Sequence, residues 1–114
     1  MKVLLLMIIA ACCAFADVSG TWKIEGDVMG NPINPVCTFK TDGSKLTGNC
    51  KAEMSGADIS GGQLDGTKVT FQWEVPYQGE TYVLTFSGTL SSDTEMAGSI
   101  AVAGVSGVFS AKKQ

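Results

Sequence analysis

Cys37 and Cys50 stand symmetrically about Gly43-Ser44 in the segment CTFKTDGSKLTGNC. A glycine in the first central position suits a two-residue type II′ hairpin turn, which needs φ > 0 there. Folding the chain at that point pairs Thr41 with Leu46, Phe39 with Gly48 and Cys37 with Cys50, all on one face. Thr38, Lys40, Thr47, Asn49 and Lys51 take the opposite face, the alternation of a sheet that is dry on one side and wet on the other. A disulfide between Cys37 and Cys50 follows from the register. With no C-x-x-C spacing and no histidine to complete a metal site, a structural role is expected of it. Closing so short a loop is worth about 3 kcal/mol at most.

The same hairpin signature recurs. Asp42 to Thr47 is echoed by Asp65 to Thr70, and a looser turn lies at 91–95. A turn at Gly66-Thr67 pairs Leu64 with Val69 and Gly62 with Phe71. The next connection, centred on Gln78-Gly79, pairs Val75 with Tyr82, Trp73 with Leu84, Phe71 with Phe86 and Val69 with Gly88. Thr70, Gln72, Glu74, Thr85 and Ser87 fall on the other face, with Val83 the one apolar exception. A last turn near Val105-Ser106 places Phe109 opposite Val102. Strands are predicted at about 20–28, 36–41, 46–52, 58–64, 68–75, 81–90, 95–103 and 107–113. These alignments point seven of the eight aromatics beyond residue 16 inward: Trp22, Phe39, Phe71, Trp73, Tyr82, Phe86 and Phe109. The fold class is all-β: an eight-stranded antiparallel up-and-down meander closed into a small barrel, which leaves no strand edge exposed. The alternative is a two-layer β-sandwich.

Residues 1–16, MKVLLLMIIAACCAFA, combine a charged start, an apolar run and a small-x-small end at Ala14 and Ala16, the pattern of a signal peptide cleaved before Asp17. The apolar run is shorter than a membrane-spanning helix requires, so no transmembrane segment is expected. The remainder, 17–114, is read as a single domain. Secretion to an extracellular or periplasmic compartment is expected, where Cys37 and Cys50 would be oxidised. A competing reading takes Ile9 to Cys12 as a lipobox, with a lipid anchor on Cys12. Beyond residue 16 there are seven lysines, no arginine and eleven carboxylates, a net charge of −4. That surface suits neither nucleic acid nor an anionic membrane.

No catalytic residue is expected. The absence of histidine removes Ser-His-Asp and Cys-His catalysis together with the commonest transition-metal ligand, and no metal or cofactor is expected either. Glu25, Asp27, Glu74 and Glu80 fall on outward or turn positions, where nothing desolvates them for acid–base work.

The opening Ser19, Gly20, Thr21, Trp22, with its structural G-x-W at Gly20 and Trp22, resembles that of the calycin superfamily of lipocalins, fatty-acid-binding proteins and avidins. Leu46-Thr47-Gly48, the aromatic strand Phe71 to Val75, and Phe86-Ser87-Gly88 resemble avidin segments. The resemblance implies an exported barrel with a basic side chain, Lys112 or Lys113, over Trp22. It does not carry biotin binding, since Cys50 stands where avidins have a ligand-contacting tyrosine.

A binding end is expected where the longer connections gather: 29–35, 53–57, 76–81 and the turn near Val105. Met29, Asn31, Asn34, Met54, Trp73, Tyr77 and Tyr82 are the candidate ligand-binding residues, with Gln78 beside them. Eight strands give a bore that side chains just fill or that holds one small ligand, and the aromatic volume favours a filled one. The expectation is a non-catalytic binding or interaction module, its partner a small apolar molecule or a protein. The alternatives are a calycin-type carrier of a small apolar ligand and a surface-tethered lipoprotein accessory domain.

Overall fold

The computed structural model describes residues 17–53 and 55–114; residues 1–16, expected as a signal peptide, with Cys12, and the candidate Met54 lie outside them. Ten strands form: β1 (Gly20–Val28), β2 (Asn31–Ile33), β3 (Val36–Asp42), β4 (Lys45–Ala52), β5 (Ser55–Asp58), β6 (Ser60–Asp65), β7 (Lys68–Tyr77), β8 (Glu80–Ser92), β9 (Glu95–Val102) and β10 (Val105–Lys113). All pair antiparallel in one sheet, and β1 pairs β10 from Trp22↔Lys113 to Val28↔Gly107, which closes the sheet into a barrel. The eight predicted strands are all present, with two short extra strands, β2 and β5, set off from β3 and β6 in segments expected as connections.

The divisions have local causes. β2 and β3 share one register against β1, from Val28↔Asn31 through Gly26↔Ile33 to Lys23↔Val36 and Gly20↔Phe39. They are a single hairpin arm interrupted at Pro35. Ile24 N–H donates to the Pro35 carbonyl at 3.0 Å, but proline has no N–H to return the bond, so the ladder skips one rung. The segment expected as a wide 29–35 connection is thus a two-residue turn at Met29-Gly30 followed by strand. The predicted strand 58–64 is β6, with β5 set off before it. The β6–β7 register slips between Ser60↔Gln72 and Gln63↔Thr70, beside Gly61 at φ +62°. Gly62 therefore pairs with Leu46 rather than with Phe71.

Three hairpin registers stand as read from the sequence: Cys37↔Cys50 with Phe39↔Gly48, Leu64↔Val69, and Val75↔Tyr82 with Trp73↔Leu84 and Phe71↔Phe86. The last hairpin does not. Its turn is Ala103-Gly104, four residues out of the expected alignment, so Phe109 faces Gly98 instead of Val102. This placement puts bulk into space: Phe109 also pairs with Gly26 across the closure, and a Cβ on Gly88 would lie 2.9 Å from its Cζ. Small residues opposite large ones let the narrow bore fill.

The two ends of the barrel are built from different turns. At one end Gly43 and Gly66 lead their turns with φ +63° and +64°. At the other, glycine comes second, and Met29, Gln78 and Ala103 are driven to φ +54°, +53° and +50°. Both central residues then have positive φ, as a type I′ turn requires, a conformation that costs most side chains but suits asparagine. Replacing Ala103 by Asn is expected to stabilise the protein by about 0.5–1 kcal/mol, read from the urea midpoint.

The segment leading into β1 is tied down beside the first of these ends. The Asp17 carboxylate accepts from Ser19 N–H at 3.0 Å and from the Thr41 hydroxyl at 3.2 Å. The Ser19 amide, with the Ser19 and Thr41 hydroxyls and Lys113 behind it, holds the Asp17 pKa below its usual 3.8. A depressed folded-state pKa contributes stability above the unfolded value that is lost as pH falls through the folded one. Amide exchange at Ser19 and Thr41 should therefore quicken selectively on acidification below pH 3.8, with β7 and β8 unaffected; an unchanged Ser19 would contradict the tie.

Candidate functional site

The inward side chains form a column. Phe39 meets Phe71 edge-on at 5.1 Å, Phe71 stacks on Phe86 at 4.7 Å, and Phe86 meets Phe109 edge-on at 5.3 Å. With Trp22, Ile24, Val69, Ile100 and the Cys37–Cys50 disulfide, all buried, they occupy the middle of the barrel. The expected inward set of aromatics is therefore as placed: six are buried and Tyr82 is half-buried.

The two ends differ in how this column is finished. The terminus end is nearly sealed: Val18, Trp22, Leu46, Leu64, Met96 and Ala111 are all buried, Leu90 is half-buried, and Trp22 Nε1 donates to the Val18 carbonyl at 2.9 Å. Lys113 lies opposite Trp22 in the ladder, and its stem runs over Gly20, where a Cβ would come within 2.8 Å of Cε. At the other end the inward positions reach the rim still partly open. Val28, Ile33, Ala52, Ala57, Ile59, Val75, Tyr82 and Val102 pack on the core but remain half-buried. They form an apolar ring with no charged member.

Below that ring sits Trp73, 2% exposed, one inward position deeper than Val75 and opposite Leu84. Its Nε1 is the one buried side-chain polar atom among the described residues without a hydrogen-bond partner. The barrel wall also changes there. β7 pairs β6 only as far as Gln72↔Ser60, and beyond it β5 pairs β4 alone. From Trp73 to Tyr77, β7 is bonded on one side only, to β8. In this register the amide of Glu74 faces the unladdered seam, and Pro76, next to face it, has no N–H to leave unpaired.

Of the predicted ligand residues among those described, only Trp73 and Tyr82 point inward, one inward level apart on β7 and β8. Met29 (72% exposed) and Tyr77 (61%) are turn-end side chains, the latter 6.2 Å from the Tyr82 ring, and Asn31, Asn34 and Gln78 are exposed. The end expected to gather long loops is instead a ring of strand residues capped by tight turns. Its aliphatic members could have been found by following the inward alternation of each strand out to its turn. Elsewhere the surface offers two open depressions, both on the outer face of the β1–β10 seam. One, of about 360 Å³, is lined by Glu25, Gly26, Asp27, Val108, Phe109 and Ser110; the other, of about 100 Å³, by Lys23, Glu25, Ser110, Lys112 and Gln114. Glu25, Asp27, Glu74 and Glu80 are all exposed. Among the described residues no group of three or more His, Cys, Asp or Glu is placed to hold a metal, and no helix is long and apolar enough to cross a membrane.

No family model matches the chain, and no curated protein matches it. Among solved structures it is similar to a redesigned β-barrel, at a TM-score of 0.64 and 13% identity over 85% of this chain and 91% of that one. That likeness is one of fold.

Proposed function

We propose that this protein is an exported, non-catalytic binding module that acts through the apolar rim of its barrel. The observation that carries the reading is the difference between the ends: one leaves only Leu90 half-buried among its inward apolar side chains, the other presents eight half-buried apolar residues over a buried tryptophan. Soluble chains rarely leave such a ring uncovered without use for it. The turn tips agree. Met29 is both strained at φ +54° and 72% exposed, a poor choice for the turn and for water alike. The filled aromatic column argues for an occupant seated in the rim rather than deep in a cup. A calycin-like ancestry, drawn from Gly20 and Trp22 with Lys113 opposite, belongs to this reading. So does export, which the disulfide and the 1–16 segment support. Exposed carboxylates and the lack of histidine support the non-catalytic part.

The test is an amide-shift titration with N-phenyl-1-naphthylamine, an uncharged apolar probe. Shifts should cluster at Val28, Ile33, Ile59, Val75, Tyr82 and Val102, and Val102→Asp should weaken binding about tenfold by placing a charge in the apolar ring. Shifts along the outer β1–β10 seam, or none at all, would count against the reading. Whether Cys12 carries a lipid is decided separately by intact mass: a chain starting at Asp17 with no added mass excludes the tether.

A further inference from the structure

We infer that the rim takes a small, uncharged apolar molecule bearing a hydrogen-bond acceptor, a ketone, ester or ether, and that Trp73 Nε1 donates to it. The inference rests on the binding reading above and adds the chemistry of the occupant.

Three features converge on it. The first is the orphan donor. Buried N–H groups are almost always paired, because leaving one unmet forfeits its hydration without return. The chain meets this requirement at its other tryptophan, where Trp22 Nε1 reaches the Val18 carbonyl. Trp73, buried as deeply as its neighbours, is left with a donor and no acceptor.

Access is the second. The backbone ladder that shields β7 stops at Gln72, so Trp73 stands where the wall between β5 and β7 is held by side-chain contact alone. Separating that seam breaks no rung of the sheet.

The third is charge. All eight ring residues are uncharged, seven of them aliphatic. A carboxylate or phosphate brought there would be desolvated with no cation to balance it. A neutral acceptor loses little hydration and regains it from the indole N–H. The size of the occupant is limited by the Phe71–Phe86 stack, which fills the bore at the next inward level.

The experiment compares acetophenone with ethylbenzene, two probes of nearly one shape that differ in a carbonyl, by following the indole N–H resonances of the protein. Acetophenone should bind about three- to tenfold tighter, the range expected for one net hydrogen bond. It should move the Trp73 indole proton downfield while the Trp22 indole stays still. Trp73→Phe should bind both probes equally. Equal binding by the wild-type protein with the Trp73 indole unmoved would overturn the inference and leave the binding reading standing; no binding of either probe at the rim would overturn both. A benzoate ion that outbinds acetophenone would overturn the neutral-acceptor assignment. Should Trp73→Phe fail to fold, the wild-type shifts alone decide.

Discussion

Phe86→Ala is expected to lower stability by about 3–5 kcal/mol, the upper range for truncating a buried aromatic. Phe86 is fully buried at the centre of the column, stacked on Phe71 and edge-on to Phe109. Its neighbours cannot close the gap. Phe71 is its direct cross-strand partner on β7, and Ile100 flanks it from β9, where it is laddered on both sides. A barrel wall tied into a ring cannot collapse inward as a helix can shift. In a domain of this size the loss corresponds to a fall in melting temperature of roughly 15–30 °C. A loss under about 1 kcal/mol in urea or thermal unfolding would mean that the column is not the core.

The second large effect is expected from Cys37→Ala with Cys50→Ala, at about 3 kcal/mol for the lost cross-link alone. Both sulfurs are fully buried and lie opposite each other, so the cost of two small cavities adds to it. The two contributions separate by their denaturant slopes. Removing the cross-link expands the unfolded chain and should raise the urea m-value, whereas a cavity alone moves the midpoint at constant m. An unchanged midpoint under reducing conditions would show that the β3–β4 hairpin needs no staple.

What was legible in the chain was whatever glycine and alternation announce together. Gly43-Ser44 and Gly66-Thr67 each put glycine where φ must be positive, and the registers drawn from them hold. Gln78-Gly79 was found because strong alternation on both flanks allowed only one centre. Ala103-Gly104 and Met29-Gly30 were misread for one physical reason: each sets a residue with no preference for positive φ in a position that demands it, and the side chain gave no sign. At Met29 the two prolines that follow suggested a loop. Pro32 sits instead in β2, paired with Asp27 near the turn, and Pro35 lies between β2 and β3, at the rung where a missing N–H interrupts the ladder.

The candidate site was half legible for a related reason. Trp73 and Tyr82 followed from the β7–β8 register, which was correct. Met29, Asn31, Asn34 and Tyr77 were chosen because long loops carry binding groups, and tight turns removed those loops. The missing ladder between β5 and β7 has no signature in residue type. It arises where the Gly61 irregularity turns the chain from β5 into β6 and carries the two strands apart.

Closure of the barrel along β1–β10, with the rim open along β5–β7, is the claim on which the functional reading depends, and native-state hydrogen exchange tests both parts at once. The account predicts strong protection along both β1 and β10 through the closure, comparable with Phe86 and Ile100, and fast exchange at Glu74, whose amide faces the seam. Rapid exchange throughout β10 would mean an open sheet, and a protected Glu74 amide would mean a sealed rim; either result contradicts it.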